Sequence, residues 1–229
     1  MELLDFSKGS FQKSEAFQVG ALLAVAGGIL DAYTYLCRGG VFANAETGNI
    51  VLFGVYLAQR QWQKAVTYLF PILAFFTGVL VAEWIKHLHR HSGRYHWRHT
   101  VLLVEIGTVA AASFIPRGRP DPAVNVMVSF ICAMQVETFR KVRGNSFAST
   151  MCTGNLRSGT EALYHGMAEG NRDLLEKSAC YYGIIACFIL GAALGSVLSG
   201  IAPQRGVLAA AAFQLAAFGL MYEKDAGAP

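Results

Sequence analysis

Six apolar segments constrain the fold of this chain more than any other feature. Each reaches or approaches the roughly 17 to 25 apolar residues that a helix needs to cross a bilayer. They lie at residues 17–36, 65–85, 100–115, 123–139, 178–199 and 206–222. Only 15% of all residues are charged, against roughly 25% in soluble domains. We therefore predict an all-α, polytopic membrane helix bundle with about six transmembrane helices, for which the lipid bilayer is the main partner.

The two ends of the chain are more polar than its middle. Residues 1–16 contain several charges and no apolar core of signal-peptide length, so we expect the first span to remain uncleaved. We predict a cytoplasmic N-terminal segment at 1–16, a single transmembrane domain at 17–222 and a C-terminal tail at 223–229.

Two further helical stretches, at residues 47–59 and 153–165, are too short to span a bilayer comfortably. They are either re-entrant half-helices or short full spans, and positive charge distinguishes the two arrangements. The re-entrant arrangement with a cytoplasmic N-terminus puts twelve basic residues inside: Lys8, Lys13, Lys86, Arg90, Arg94, Arg98, Arg140, Lys141, Arg143, Arg172, Lys177 and Lys224. It puts six outside: Arg38, Arg60, Lys64, Arg117, Arg119 and Arg205. If both short helices were full spans, the basic residues of the same loops would divide into nine on each side of the membrane. We therefore predict re-entrant helices and cytoplasmic termini.

The two halves of the chain repeat one pattern. A shift of 106 residues places Asp31 on Glu137 and the Thr-Gly-Asn tripeptide at 47–49 on that at 153–155. In both halves the acid precedes the threonine by sixteen residues. Three spans per copy, an odd number, require the second copy to be inverted in the membrane. We predict inverted repeats at 17–115 and 123–222, an arrangement found in many secondary transporters.

The first copy also resembles a known family. The strings GILDAY at 28–33, GVF at 40–42 and TGN at 47–49 are similar to the signature of the YoaK family of bacterial multi-pass inner-membrane proteins. The resemblance extends over about residues 17–222. It implies an inner-membrane location and a multi-pass topology, and it implies no substrate. Glu46 departs from the small or apolar residue expected at that position.

Asp31 and Glu137 are the acidic residues that the repeat singles out. An ionised carboxyl group inside the membrane costs several kcal/mol, so such groups face a cavity, pair with a partner or exchange a proton. We predict that both residues couple a cation gradient to transport. The alternative is structural, in which each carboxyl group caps a helix start or pairs with Arg38 or Arg140.

The Thr-Gly-Asn tripeptides are predicted to open the two short helices, with threonine as the N-cap. A helix start inside the membrane offers free N–H groups and a partial positive charge, which together bind anions or polar groups. We predict a solute site between the two starts, formed by Thr47, Gly48, Asn49, Thr153, Gly154 and Asn155. The alternative is that the tripeptides are ordinary turns that stabilise the fold.

The second short helix is more polar than the first. It carries Arg157, Glu161 and His165 at intervals of four residues and so on one face, where the first helix has Val51, Val55 and Gln59. Arg157 is a candidate to bind an anionic substrate, with Glu161 as its partner in the unliganded protein. A water-exposed amphipathic helix is an equal alternative.

No metal site or cofactor is expected. The loop at 86–99 holds five histidines but no Cys, Asp or Glu, so we interpret it as a basic loop that faces anionic lipids. The five cysteines form no CxxC pair and are expected to pack as small apolar residues.

The motifs together favour a small-solute secondary transporter, with an anion as one candidate solute. A passive channel and a non-transporting membrane partner protein are the alternatives. H-E-x-x-H, G-x-S-x-G and nucleotide-binding motifs are absent from the sequence, so an enzyme is not expected, and neither is nucleic-acid binding. The GxxxG motif of Gly191 and Gly195 predicts close helix packing, either within the bundle or between subunits of a homo-oligomer.

Overall fold

The computed structural model describes residues 13–89 and 97–222. The predicted tail at 223–229 and most of the N-terminal segment lie outside these residues. Within them the chain forms a 3-10 turn at Lys13–Glu15, eight α-helices and one two-stranded hairpin, β1 (Lys141–Val142) and β2 (Asn145–Ser146). The helices are α1 (Phe17–Cys37), α2 (Glu46–Ala58), α3 (Trp62–Leu88), α4 (Trp97–Ala112), α5 (Asp121–Thr138), α6 (Cys152–Glu169), α7 (Arg172–Ile201) and α8 (Leu208–Tyr222).

Three helices, α1, α3 and α7, are long and apolar enough to cross a membrane on length and composition alone. A shorter apolar helix covers Leu208–Met221. The helices α4 and α5 are shorter or more polar, and α4 buries Glu105 against Gln214 of α8. Helix α5 packs along α3, and α4 packs against α5 and α8. The predicted all-α membrane helix bundle is confirmed.

The equivalent helices α1 and α5 run in opposite directions. Arg38, directly after α1, forms an ion pair of 2.8 Å with Asp121 at the start of α5. At the other end, the backbone N–H of Arg143, beyond α5, donates to the carbonyl oxygen of Glu15, before α1. The end of each helix therefore lies beside the start of the other, and the two repeats are inverted as predicted.

The two repeats interlock through matching helix pairs. Helix α1 packs along α7, and its counterpart α5 packs along α3. Helix α1 also contacts α8, α5 contacts α4, and α4 and α8 contact each other. Because each pair joins one helix from each copy, neither repeat has a separate core, and the two fold as one unit.

Glycine residues permit the close approach of α1 and α7. A Cβ atom on Gly191 would collide with the carbonyl oxygen of Val25, and one on Gly195 would lie 2.8 Å from the Cα of Ile29. The GxxxG motif therefore packs inside the chain. Helix α1 occupies the surface of Gly191 and Gly195 in this structure, and a homo-oligomer stays a prediction.

Helix α2 is re-entrant. After α1 the chain turns back, and the Asn44 side chain donates to the carbonyl oxygen of Gly27, ten residues before the end of α1. Helix α2 thus begins at mid-bundle. Helix α3 ends beside the start of α4, where Ala82 and Ile85 pack against Val101. Because α3 traverses the bundle to reach the start of α4, it begins at the opposite end. The end of α2 therefore lies at the same end of the bundle as the end of α1.

Helix α6 enters from the opposite end. Thr150, two residues before α6, also lies against Gly27. From there α6 runs back along α7, where the Ser178 hydroxyl donates to the carbonyl oxygen of Gly159. Gly183 of α7 lies beside Phe17, the first residue of α1. Residues 172–182 and the end of α6 therefore project about 16 Å past the start of α1.

Candidate functional site

The two re-entrant helices begin with the same backbone geometry. Helix α2 starts at Glu46 and α6 at Cys152, which are 106 residues apart. Their N-cap residues have nearly equal angles, φ −103° and ψ 68° at Ala45, and φ −94° and ψ 72° at Met151. Neither N-cap makes a side-chain hydrogen bond. The prediction that the threonines are N-caps is wrong, because each helix begins one residue earlier and the tripeptide lies within its first turn.

The asparagines of the two tripeptides hold the turn that precedes each helix. Asn49 donates through Nδ2 to the carbonyl oxygen of Phe42 at 3.4 Å and to Glu46 Oε2 at 3.0 Å. Asn155 donates to the carbonyl oxygen of Ala148 at 2.6 Å and accepts from its N–H at 3.3 Å. Both asparagines are buried. Their amides therefore stabilise equivalent turns in the two repeats.

The other tripeptide residues, Thr47, Gly48, Thr153 and Gly154, are exposed. A Cβ atom added to Gly48 or Gly154 would meet no atom within 4 Å. The structure thus brings the two helix starts to the same depth but leaves these four residues on the outer faces of their helices. Solute binding by the tripeptides themselves stays a prediction.

The starts of the two helices meet at Gly27. A Cβ atom added there would lie 2.7 Å from Thr150 Cγ2 and 3.8 Å from Asn44 Nδ2. Asn44 and Thr150 occupy equivalent positions in the two repeats, 106 residues apart. Both are more than nine-tenths buried, and Asn44 Oδ1 and Thr150 Oγ1 lack a hydrogen-bond partner among the described residues. Unpaired buried polar atoms are costly and indicate a bound water, ion or solute group.

Two carboxyl groups lie at the same point. Asp31, one helical turn beyond Gly27, is 7% exposed, and its Oδ1 accepts from the backbone N–H of Asn44 at 2.9 Å. It therefore caps the turn before α2, as the structural alternative expected, and it does not pair with Arg38. Glu46, two residues beyond Asn44, is the second acidic residue of this turn, and its Oε2 accepts from Asn49 Nδ2 at 3.0 Å. Its Oε1 is buried and unpaired among the described residues.

Glu137 does not join this site. It lies one residue before the end of α5 and pairs with Arg140 at 3.0 Å. The nearby Gln135 amide contacts the carbonyl oxygen of Leu23, eight residues or about 12 Å of helix before Asp31. The sequence repeat holds at Asp31 and Glu137, but the two carboxyl groups lie at different depths.

Arg157, Glu161 and His165 are exposed on α6. Arg157 and Glu161 form no ion pair with each other, and His165 pairs with Glu169 at 3.2 Å. The expectation that Glu161 pairs with Arg157 is therefore wrong. The outer part of α6 runs past the start of α1, which favours a water-exposed polar face. Arg157 is not brought to Gly27 by any described contact.

Two further groups of residues considered in the sequence are the metal-ligating side chains and the cysteines. Within 13–89 and 97–222, no group of three or more His, Cys, Asp or Glu side chains lies together as a metal site would require. The middle of the histidine-rich loop, residues 90–96, lies outside the described residues. All five cysteines are free, and Cys37, Cys132 and Cys180 are buried.

The sequence interpretation passed over Asn44 and Thr150, and it treated Glu46 only as a departure from a family pattern. A signal was available, since the shift of 106 residues pairs Asn44 with Thr150 three residues before each tripeptide. The two residues differ in type, however, and a comparison for identity does not select them. Their importance appears only when Gly27 is seen to contact both.

The fold and the site define a polytopic membrane protein built from two inverted repeats, each with a re-entrant helix that begins in the middle of the bundle. The chain belongs to the DUF1275 family, described as a protein of unknown function, whose sequence profile matches residues 19–221. The predicted resemblance to YoaK-like proteins is thereby confirmed.

One curated protein illustrates the relationship. The chain is 27% identical over 144 residues to the UPF0700 transmembrane protein YoaK of Bacillus subtilis (strain 168). The alignment covers 60% of this chain and 63% of the relative, which is less than two thirds of the relative's length. No solved structure matches the chain significantly.

Proposed function

We propose that the protein is a secondary transporter of a small solute, which binds where the starts of α2 and α6 meet. The observation that carries the proposal is that Asn44 and Thr150, whose side chains both contact Gly27, each have a buried oxygen atom without a hydrogen-bond partner among the described residues. They come from equivalent positions of two inverted repeats. A site made in this way is equally related to both membrane faces, which is the geometry that alternating access requires.

The chemistry around the site bears on the solute. The starts of two helices present partial positive charge and favour an anionic or polar group, which supports the prediction that the solute is a small anion. The carboxyl groups of Asp31 and Glu46 favour a cation instead. A zwitterion, or an anion accompanied by a cation, satisfies both. Asp31 remains our candidate for ion coupling, whereas Glu137, at a different depth, is the weaker candidate.

Two other functions compete with transport. A passive channel uses inverted repeats too, but a pore does not need a buried carboxyl group such as Asp31, whose presence favours coupled transport. A non-transporting partner protein does not need unpaired polar atoms at mid-membrane. We do not propose an enzyme, because the sequence has none of the catalytic motifs named above.

We also propose that the protein lies in the inner membrane with both termini in the cytoplasm. The start of α1 and the end of α8 lie together, since Val19 packs near Ala217 and Met221. The distribution of twelve basic residues on that side against six on the other favours a cytoplasmic location for it.

A solute screen followed by a flux assay tests this function. Purified full-length protein is screened by thermal shift against small organic and inorganic solutes, and stabilising solutes are assayed for uptake into proteoliposomes. We expect saturable uptake that Thr150→Val reduces by roughly tenfold or more, because a lost hydrogen bond to a buried polar group costs about 1 to 3 kcal/mol.

The matched control is Thr77→Val, in which the hydroxyl that is removed only contacts the Ala74 carbonyl within α3. It should transport like the parent protein. Uptake that does not saturate would indicate a channel. Equal uptake by the parent protein and Thr150→Val would contradict the proposed site.

A further inference from the structure

We propose that the meeting point of α2 and α6 binds one hard monovalent cation such as Na⁺. The ligands are oxygen atoms of Asp31, Asn44, Glu46 and Thr150. This inference deepens the proposed function, since it names an ion for the same site. It does not depend on transport, because ion binding is measurable in the purified protein.

The unpaired atoms at the site are all oxygens. They are the amide oxygen of Asn44, the hydroxyl oxygen of Thr150 and the Oε1 atom of Glu46, each buried and without a hydrogen-bond partner among the described residues. Carboxylate, amide and hydroxyl oxygens are the ligands of hard cations. The Asn44 amide nitrogen, the group that would bind an anion, already donates to the Gly27 carbonyl oxygen.

The site also has negative charge without a basic partner. Within the described part of the chain, neither Asp31 nor Glu46 forms an ion pair with a basic side chain. Arg38, a basic residue seven positions beyond Asp31, is fully buried and pairs with Asp121. Two neighbouring carboxyl groups at mid-membrane are costly unless they bind protons or a cation.

The packing at Gly27 excludes a bulky cation. Thr150 Cγ2 and Asn44 Nδ2 already lie close to the point that a Cβ atom would occupy, so no bulky ammonium group fits between them. Divalent ions such as Ca²⁺ prefer six to eight oxygen ligands with several carboxylates. The four side-chain oxygens of this site fall short of that number, which favours a monovalent ion.

The two repeats contribute different residues to the site, which makes it asymmetric. Glu46 of the first copy is replaced by Cys152 at the equivalent position of the second. Only one copy therefore supplies a second carboxyl group, and a single cation is expected for each chain. Glu46 is therefore the residue by which the first repeat differs from the second at this site.

Thermal unfolding of the purified full-length protein tests the inference. Na⁺ is raised to about 200 mM, with N-methyl-D-glucamine replacing it at constant ionic strength, because a ligand that binds only the folded state stabilises it in proportion to ln(1 + [L]/Kd). We expect a saturable rise in Tm with Na⁺ and a roughly tenfold or larger increase in the apparent Kd for Glu46→Gln and for Thr150→Val.

The matched control is Glu169→Gln, which removes an exposed carboxyl group paired with His165 at the end of α6. It should keep the parent dependence on Na⁺. We avoid Asp31→Asn as the main variant, since Asp31 also holds the Asn44 backbone and its loss affects folding. A parent Tm that does not respond to Na⁺, or responds only to pH, overturns the inference, as does an unchanged apparent Kd in both site variants.

The outcomes separate the two proposals. A Na⁺-dependent Tm with no solute flux supports the cation site and contradicts the transporter. Saturable flux that is reduced in Thr150→Val but is independent of Na⁺ supports the transporter and contradicts the cation site.

Discussion

Asn49 and Asn155 lie 106 residues apart in sequence and make the same hydrogen bond, each to the carbonyl oxygen seven residues before it. The acceptors, Phe42 and Ala148, are themselves equivalent. The shared bond shows that the Thr-Gly-Asn tripeptide holds the turn before a re-entrant helix in both repeats. The asparagine fixes the turn, so that the residues just before the helix reach mid-membrane.

Loss of this bond should destabilise the two repeats unequally. Asn155 makes two hydrogen bonds to Ala148, whereas Asn49 makes one long bond to Phe42 and one to Glu46. We expect Asn155→Ala to lower the free energy of unfolding by about 2 kcal/mol, because buried backbone groups lose their partners. Asn49→Ala should cost less. Thermal unfolding in detergent measures both, and a larger loss in Asn49→Ala would contradict the assigned bonding.

The ion pair of Arg38 and Asp121 should be strongly coupled. Arg38 is fully buried, and it also donates to the carbonyl oxygens of Ile115 and Pro116 and to Tyr33. We expect Arg38→Ala to cost about 3 to 5 kcal/mol, since it leaves a carboxylate and several carbonyls without a donor.

A double-mutant cycle with Asp121→Asn measures the coupling between these two side chains. The two single losses should add to clearly more than the loss in the double variant. Simple additivity would show that the pair does not join α1 to α5 as described.

Gly191 should be essential for packing within the chain. Alanine at this position would press its Cβ atom against the Val25 carbonyl oxygen, and overpacking of this kind costs about 1 to 3 kcal/mol. Gly200→Ala on the same helix meets no atom within 4 Å and serves as the control. We expect Gly191→Ala to lower the Tm and Gly200→Ala to leave it nearly unchanged.

The same pair of variants checks the oligomeric state. Because Gly191 faces α1 of its own chain, light scattering of the detergent-solubilised protein should give the same oligomeric state for both variants and the parent. If Gly191→Ala changed the oligomeric state without changing the Tm, the GxxxG motif would be assigned to a subunit interface instead.

Thiol labelling should show that α2 does not cross the membrane. In a background without the five native cysteines, Gln61→Cys lies in the turn between α2 and α3, and Arg119→Cys lies before α5. An impermeant reagent should label both from one side and Glu169→Cys from the other. Labelling of Gln61→Cys from the same side as Glu169→Cys would mean that α2 spans the bilayer.

The sequence was sufficient to predict most of the architecture. Hydropathy located the helices α1, α3, α4, α5, α7 and α8, and the repeat spacing predicted the inversion. The boundaries of α6 and α7 were less accurate, since the structure extends α6 to Glu169 and begins α7 at Arg172. These ends project from the bundle as polar helix, where hydropathy does not distinguish a helix from a loop.

The site was less predictable than the fold. Its tripeptides were identified because they are identical in the two copies, yet the buried residues at the meeting point, Asn44 and Thr150, are not identical. The depth of Glu137 also depends on where α5 ends, five residues earlier relative to the repeat than α1. Such differences follow from tertiary packing, which a single sequence does not specify.

The central claim is that two helices from opposite membrane faces meet at Gly27. Its most direct test is intramolecular cross-linking of Asn44→Cys with Thr150→Cys in the cysteine-free background, using a short bifunctional thiol reagent. The pair of Asn44→Cys with Glu137→Cys is the control, since Glu137 lies at a different depth. We predict that the first pair cross-links within one chain, as read by mass spectrometry, and that the control pair does not. Absence of a cross-link in the first pair, or equal cross-linking of both pairs, would contradict the account.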